Sequence, residues 1–143
     1  MKPSIVIVGS GFAGLCMAIQ LKKQGIQDFL ILEQASQIRG TWRDNHYPGA
    51  ACDVESHLYS FSFAPEPNWS RTYSPQKEIL NYLEHCVDLF QLRPHLQLNQ
   101  KVTSAKFNSE NHQWTLETHS GLKIETSIFI PACGVLRKPA LPH

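Results

Sequence analysis

The chain has 143 residues, a formal net charge of +1 at pH 7, and a composition that is 42% hydrophobic and 17% charged. This length is sufficient for one domain with a hydrophobic core, and the balance is typical of a globular protein rather than a disordered one. The nearly neutral charge gives no indication of a nucleic acid or an anionic membrane surface as partner. Composition therefore predicts a globular domain with neither of these partners.

The cysteines are scattered at positions 16, 52, 86 and 133 and form no C-x-x-C pair. We expect reduced thiols in a cytoplasmic protein, with no disulfide framework and no zinc or other metal site. An apolar N-terminal run reaches Ile19, but glycines interrupt it and no small-residue cleavage site follows. A signal peptide is therefore not predicted, and the run is too short to span a membrane.

Residues 4–14 read Ser-Ile-Val-Ile-Val-Gly-Ser-Gly-Phe-Ala-Gly, an apolar strand that leads into a G-x-G-x-x-G turn. Gly9 allows a tight turn, Gly11 leaves room for a pyrophosphate beside the backbone, and Gly14 allows the following helix to pack closely on the strand. The helix would present its unpaired N–H groups and positive dipole end to the phosphates. A glycine triplet alone is weak evidence, but this one lies between a strand and a helix, which favours a dinucleotide site.

A helix and a second strand complete the predicted unit. The apolar positions of the helix recur at helical spacing: Phe12, Leu15, Cys16 and Ile19. Gly25 marks its end, residues 29–32 form a buried strand, and Glu33 follows that strand. Glu33 lies ~20 residues beyond the glycines, where a carboxylate accepts the ribose hydroxyls of an adenine nucleotide and argues against a 2′-phosphate. FAD and NAD share this fingerprint, so the residues leave the choice between them open.

The segment between Glu33 and Pro75 has little periodicity and many turn-forming residues. Its aromatic side chains are Trp42, Tyr47, Tyr59, Phe61, Phe63, Trp69 and Tyr73. Long loops inside a domain are often functional, so these side chains are candidates to cover an aromatic cofactor ring. The alternative is that they fill a small satellite core, and the sequence leaves both open.

The second half of the chain predicts one more helix and a return to the sheet. Ser74-Pro75 opens a helix with these inward positions: Ile79, Leu80, Leu83, Val87 and Phe90. Short or alternating strands are predicted at 96–98, 102–107, 113–118 and 122–126, and a buried strand at 128–132. We therefore predict an α/β fold in which strands 5–8, 29–32 and 128–132 are neighbours in one parallel sheet. The helix over 12–24 would cover one face and the antiparallel meander the other.

Two longer motifs resemble one family. Residues 40–63, Gly-Thr-Trp-Arg-Asp-Asn-His-Tyr-Pro-Gly-Ala-Ala-Cys-Asp-Val-Glu-Ser-His-Leu-Tyr-Ser-Phe-Ser-Phe, resemble the G-G-T-W … Y-P-G-A-x-C-D-x-x-S segment of Baeyer–Villiger and related flavin-containing monooxygenases. Residues 132–142 resemble the A-T-G-x-L-S-x-P-x-x-P return strand of that family. The resemblance covers essentially the whole chain. It implies a Rossmann-like FAD-binding domain with a parallel sheet, a helix layer and an antiparallel β-meander, in an incomplete flavoprotein with two dinucleotide-binding domains.

The resemblance also implies a set of FAD-binding residues: Gly9, Ser10, Gly11, Phe12, Ala13, Gly14, Glu33, Gln34, Gly40, Thr41, Trp42, Asp53, Tyr59 and Val102. Asp53 is the predicted catalytic residue, because it matches a carboxylate that supports an arginine supplied by the NADPH domain. The alternative for Asp53 is a loop cap, and for Val102 a simple core position. Two residues depart from the family pattern: Arg39 replaces a glycine and Cys133 a threonine.

The implied function is that of the FAD-binding portion, residues 1–143, of an enzyme that uses NADPH and O₂ to oxidise a ketone to an ester or to oxidise a heteroatom. The NADPH fingerprint and catalytic arginine would follow His143, so we expect an inactive fragment that self-associates through apolar surface near Val135, Leu136 and Leu141. Two alternatives stay open. One is an NAD(P)-dependent dehydrogenase domain, against which the aromatic loop and the meander weigh, and the other is a non-catalytic nucleotide-binding module.

Overall fold

A computed structural model describes residues 2–38 and 40–134 of the chain. The helices and strands, in chain order, are β1 (Ile5–Val8), α1 (Phe12–Lys23), β2 (Phe29–Leu32), α2 (Thr41–Asp44), α3 (Gln76–Leu89), β3 (Leu96–Gln97), β4 (Val102–Asn108), β5 (Gln113–Thr118), β6 (Lys123–Thr126) and β7 (Ile128–Pro131). Two single 3₁₀ turns span Ser56–Leu58 and Arg93–His95.

Four strands form a parallel sheet in the order β3-β2-β1-β7. β1 lies at its centre, with Ile5 in register with Phe29 on one side and Ile128 on the other. β4, β5 and β6 form a separate antiparallel sheet in chain order. The predicted neighbours in the parallel sheet and the predicted meander are therefore confirmed, with strand bounds that differ by a residue at some ends.

The alternation of side chains along β1 and β2 divides the core into two layers. The layer on the helix side contains Ile5, Ile7, Phe29 and Ile31 with buried residues of α1 and α3. The layer on the other side contains Val6, Leu30 and Leu32 with Leu116 and Ile124 of the meander. Successive strand residues point to opposite faces, so both faces of the parallel sheet are covered, as predicted for α1 and the meander.

The helix ends follow the local sequence signals. After α1, the Gly25 N–H donates to Lys22 O and the Ile26 N–H to Leu21 O, both at 2.9 Å, and Gly25 has φ +77°. These two bonds form the glycine-dependent C-terminal cap that the sequence predicts. α3 follows Pro75 and buries Ile79, Tyr82, Leu83, Cys86 and Val87, while Leu80 and Phe90 are half-buried.

The long segment between β2 and α3 is held by a contact with α3 and by a contact within itself, just before that helix. The Tyr82 hydroxyl donates to Ala64 O at 2.8 Å and accepts from the Phe61 N–H at 2.7 Å. The Ser56 hydroxyl lies 2.8 Å from that of Ser74, just before the helix. These buried bonds fix a stretch of chain that has little regular secondary structure.

Some expectations fall outside the described residues. These include the effect of Arg39 and the apolar surface at Val135, Leu136 and Leu141. Within residues 2–38 and 40–134, no helix has the length and apolar character needed to cross a membrane.

The contact between α1 and the glycine turn generates a stability prediction. A Cβ added at Gly14 would lie 1.9 Å from Gly9 O, a backbone atom, whereas one at Gly11 would meet nothing closer than Gly40 Cα at 4.0 Å. We expect Gly14→Ala to lower the free energy of unfolding by about 3 kcal/mol or more, although alanine ordinarily favours a helix. Urea unfolding followed by circular dichroism measures the change.

Gly11→Ala is the matched control, because it makes the same substitution at the start of the same helix at a φ of −79°. Its unfolding free energy should stay within about 1 kcal/mol of that of the unsubstituted chain. Equal destabilisation by the two variants would contradict the close approach between Gly9 and Gly14.

Candidate dinucleotide-binding site

A cavity of about 430 Å³ lies at the carboxyl ends of β1, β2 and β7. It is lined by Val8, Gly9, Ser10, Gly11, Phe12, Ala13, Leu32, Glu33, Gln34, Gly40, Thr41, Trp42, Arg43, Tyr59, Gln100, Lys101, Val102, Ala132, Cys133 and Gly134. Ligands of open parallel α/β sheets bind at this edge, where the connections that leave the strands diverge. The cavity therefore lies where a nucleotide binds in folds of this kind.

The glycine turn forms the floor of this cavity. Gly9 has φ +108° and its N–H donates to Leu32 O at 2.8 Å, so the turn is held against the end of β2. Gly11 precedes α1, and its missing side chain leaves open space up to the backbone of Gly40. The first turn of α1 has neither a side-chain cap nor an acidic residue. These features leave the positive end of the helix dipole available to an anion.

Glu33 is a buried carboxylate at the end of β2, only 4% exposed. Its Oε2 accepts the Ser10 N–H at 3.1 Å and the Ser10 hydroxyl at 2.6 Å. Its Oε1 accepts the Ala35 N–H at 3.0 Å and Arg43 Nη1 at 3.2 Å. The predicted ribose-binding acid is therefore held beside the glycine turn by donors on both oxygens.

Arg43 is a cavity residue that the sequence reasoning did not select. Its guanidinium also donates to Gln37 O at 2.8 Å and forms two bonds to the neighbouring Asp44 carboxylate. The pKa of Arg43 is raised, chiefly because Asp44 accepts these bonds and also because Glu33 lies nearby. Together, Glu33, Arg43 and Lys101 give the described cavity lining one more positive than negative side chain.

The aromatic residues of the long segment divide between the two roles that the sequence left open. Trp42 and Tyr59 line the cavity, with Trp42 Nε1 donating to the Tyr59 hydroxyl at 3.2 Å. Phe61 is buried in the helix-side core, where its ring lies 5.1 Å from that of Phe63. Trp69 packs against the same core, whereas Tyr47 and Tyr73 are exposed.

Of the residues predicted to bind the cofactor, Gly14 and Asp53 are not in the cavity lining. Gly14 faces the Gly9 carbonyl and serves helix packing instead. Asp53 is exposed, but its carboxylate is near enough to Tyr59 to affect that hydroxyl. Burial raises the pKa of Tyr59, and the nearby Cys52 and Asp53 side chains raise it further.

The remaining predicted residues line one cavity, together with several that the sequence did not single out for the site. Val8, Leu32 and Ala132 lie at strand ends, which the fold prediction alone was sufficient to indicate. Cys133 and Gly134 follow β7, and Cys133 Sγ lies 3.7 Å from Val8 O. Gln100 and Lys101 precede β4, and no local motif marks them. The described residues contain no group of three or more His, Cys, Asp or Glu side chains that could hold a metal ion.

This fold and cavity define a Rossmann-like dinucleotide-binding domain. A family model described as an NAD(P)-binding Rossmann-like domain matches residues 7–75. The chain is 49% identical over 138 residues to a Baeyer–Villiger monooxygenase of Streptomyces coelicolor, a match that covers 96% of this chain and 26% of the relative. It is 36% identical over 152 residues to the FAD-binding monooxygenase ktnD of Aspergillus niger, covering 99% of this chain and 25% of the relative.

A solved structure of an oxidised steroid monooxygenase bound to NADP superposes with a TM-score of 0.92 at 40% identity, covering 100% of this chain and 28% of that protein. The chain is thus homologous to Baeyer–Villiger monooxygenases and their relatives over nearly its whole length. It spans about a quarter of the length of the curated relatives that it matches.

The burial of Glu33 leads to a prediction for Ser10, which is fully buried. Ser10→Ala removes the hydroxyl that donates to Glu33, so we expect a loss of about 1–3 kcal/mol in the free energy of unfolding. Ser70→Ala is the matched control, because Ser70 also donates through its N–H and hydroxyl to a glutamate, Glu78, but on the surface. The control should change stability by less than ~0.5 kcal/mol. Similar losses in urea unfolding would contradict a special role for the buried bond.

Proposed function

We propose that this chain is the FAD-binding portion of an NADPH- and O₂-dependent Baeyer–Villiger monooxygenase, and that its cavity holds the FAD. The observation that carries the proposal is the buried Glu33 carboxylate beside the open Gly11 turn, in a chain homologous to named FAD-binding monooxygenases. A ribose-binding acid and a phosphate-binding turn in contact are the two parts that an adenine dinucleotide requires.

The cavity residues fit the adenosine and pyrophosphate parts of FAD in chemistry and shape. Its volume of about 430 Å³ lies in the usual range for a cofactor or ligand pocket. The uncapped first turn of α1 suits a pyrophosphate. A Cβ at Gly11 would fill space that the structure leaves open, which supports a close approach of the ligand to the backbone there.

Each part of the cavity then has a role. Gly9, Gly11 and the start of α1 hold the pyrophosphate, Glu33 accepts the ribose hydroxyls, and Val102 borders the adenine. Gly40, Thr41, Trp42 and Tyr59 lie toward the flavin end, where two linked aromatic side chains form an apolar wall. When bound, FAD supplies the redox and oxygen chemistry, while the chain binds it, orients it and limits its contact with water.

FAD is favoured over a nicotinamide cofactor by the architecture of the chain after Glu33. A plain dehydrogenase domain connects its parallel strands through further helices. This chain has one such unit, β2-α3-β3, but it inserts the Trp42–Tyr59 segment before α3 and reaches β7 through an antiparallel meander. The family model itself is named for NAD(P), but the relatives that match nearly the whole chain are monooxygenases. An NAD(P)-dependent dehydrogenase or a non-catalytic nucleotide module is the alternative.

The catalytic proposal concerns Asp53. Its loop is tied to the residues just before α3 by the Cys52 N–H, which donates to Ser74 O at 3.0 Å. The Asp53 side chain itself is exposed. We propose that Asp53 pairs with an arginine from the NADPH-binding domain and keeps that cation oriented near the flavin. The substrate of the whole enzyme would be a small ketone or heteroatom compound, since one relative is a Baeyer–Villiger monooxygenase.

The domain and cell compartment are part of the same proposal. Residues 1–143 form one FAD-binding unit, with the cavity at the strand ends as its site. All four cysteines are free, which supports a reducing compartment such as the cytoplasm. The nearly neutral charge supports no nucleic-acid or membrane-surface partner.

Cofactor binding can be tested at Glu33 and Gly11. Glu33→Gln should weaken FAD binding by roughly 1–3 kcal/mol, because the ribose hydroxyls lose a charged acceptor. Gly11→Val should abolish binding, because its methyl groups would occupy the open space of the turn. Titration calorimetry with FAD on the nucleotide-free chain measures both effects.

Glu78→Gln is the control for the first variant, since Glu78 accepts the same two kinds of bond from a serine on the surface. It should leave FAD affinity unchanged. If both Glu33→Gln and Gly11→Val bound FAD as the unsubstituted chain does, this binding mode would be wrong.

The 143-residue chain alone should not turn over. It contains one dinucleotide fingerprint, and in this proposal FAD occupies it, so NADPH has no site from which to reduce the flavin. We expect no ketone-dependent oxygen uptake with NADPH and added FAD, measured with an oxygen electrode with and without a small cyclic ketone. Ketone-dependent uptake would contradict the interpretation of the chain as one portion of the enzyme.

A further inference from the structure

The guanidinium of Arg43 joins the ribose-binding acid to the short helix α2. Its Nη1 donates to Glu33 Oε1 at 3.2 Å and to Gln37 O at 2.8 Å, and its side chain is only 15% exposed. Neither α2 nor the turn after β2 has a sequence motif that assigns this arginine to a ligand. The glycine fingerprint therefore does not account for the contact between Arg43 and Glu33.

The opposite edge of the same guanidinium is fixed by Asp44. Arg43 Nε donates to Asp44 Oδ1 at 2.7 Å and Nη2 to Oδ2 at 2.9 Å. Because the guanidinium is planar and rigid, fixing one edge also fixes the direction of the N–H groups at the other. The group aimed at Glu33 is thus preorganised by a carboxylate that lies outside the cavity lining.

Arg43 differs in kind from the other donors to Glu33. Ser10 donates twice to Oε2 and the Ala35 N–H donates to Oε1, and these donors are neutral. Among the described residues, Arg43 is the cation that contacts this carboxylate. A charged donor on Oε1 makes a stronger bond than a neutral one, so Arg43 restricts the rotation of the carboxylate about its last bond.

We propose that Arg43 is a positioning residue for the adenine ribose, acting through Glu33: it holds the carboxylate in the one orientation that accepts the ribose hydroxyls. The inference rests on the proposed function, since it requires an adenine nucleotide in the cavity. It also explains why an arginine beside this site does not create a 2′-phosphate pocket, because Glu33, Gln37 and Asp44 already occupy the guanidinium.

A purely structural role for Arg43 makes a different prediction. If the arginine only ties α2 to the turn after β2, its loss loosens the whole cavity and weakens every nucleotide by the same factor. If it acts through Glu33, its loss affects the interaction with the ribose hydroxyls most. The ratio between two ligands that differ in one hydroxyl separates these roles.

The experiment compares ADP with 2′-deoxy-ADP on the nucleotide-free 143-residue chain by titration calorimetry. We expect the unsubstituted chain to bind ADP about tenfold or more tightly than the deoxy analogue, because that analogue leaves a charged acceptor without its hydroxyl. In Arg43→Met the ratio should fall below about threefold, while ADP itself binds more weakly. Circular dichroism checks that the variant is folded.

Two further variants serve as controls. Arg43→Lys keeps a cation but cannot hold Asp44 and Gln37 at once, so its ratio should lie between those of the unsubstituted chain and Arg43→Met. Lys101→Met removes the other cationic side chain of the cavity lining, and it should weaken both ligands equally and leave the ratio unchanged.

The outcomes distinguish a failure of the proposed role of Arg43 from a failure of the proposed function. If the unsubstituted chain binds ADP and discriminates, but Arg43→Met keeps or increases the ratio, the role of Arg43 is overturned and the proposed function stands. If the unsubstituted chain binds neither nucleotide, the adenine-dinucleotide site and the inference built on it both fail.

Discussion

Burying an ionised carboxylate costs several kcal/mol unless donors replace the water that it loses. Glu33 meets this constraint with four donated hydrogen bonds, which come from three segments: the glycine turn, the exit of β2 and the helix α2. Satisfying one acid therefore fixes three segments relative to one another. The same segments form much of the cavity wall. The hydrogen bonds that allow Glu33 to be buried therefore also determine the geometry of the site.

The glycine turn is also fixed in a second way, through close contacts between backbone segments. A Cβ at Gly9 would lie 2.4 Å from Ala132 O, and one at Gly14 would lie 1.9 Å from Gly9 O. The backbone after β1 thus lies in direct contact with those of α1 and of the residue after β7, which brings the strand ends together. Gly11 alone of the three glycines faces open space. The triplet therefore combines two structural positions with one that leaves room for a ligand.

The sequence predicted the elements well, because their signals are local. Apolar runs, the glycine spacing and Gly25 located β1, α1 and β2, and alternation located the meander. It did not identify Arg43 or Lys101, because their places depend on which distant segments meet, and no spacing rule encodes that. It also left open which aromatic residues line the cavity. That choice depends on the Tyr82 hydroxyl, which holds Phe61 in the core, and on the bond from Trp42 to Tyr59.

A strand, a glycine turn and an acid describe any adenine dinucleotide site, so they do not distinguish one cofactor from another. In the proposed function, FAD is favoured by the segment between β2 and α3, which has little secondary structure of its own. Ser56, Ser74 and Tyr82 of α3 satisfy several of its polar groups through protein hydrogen bonds. Because it is tied down in this way, the segment presents Trp42 and Tyr59 to the cavity as a fixed aromatic wall. The position of this wall thus depends on hydrogen bonds behind it as well as on the bond from Trp42 to Tyr59 within it.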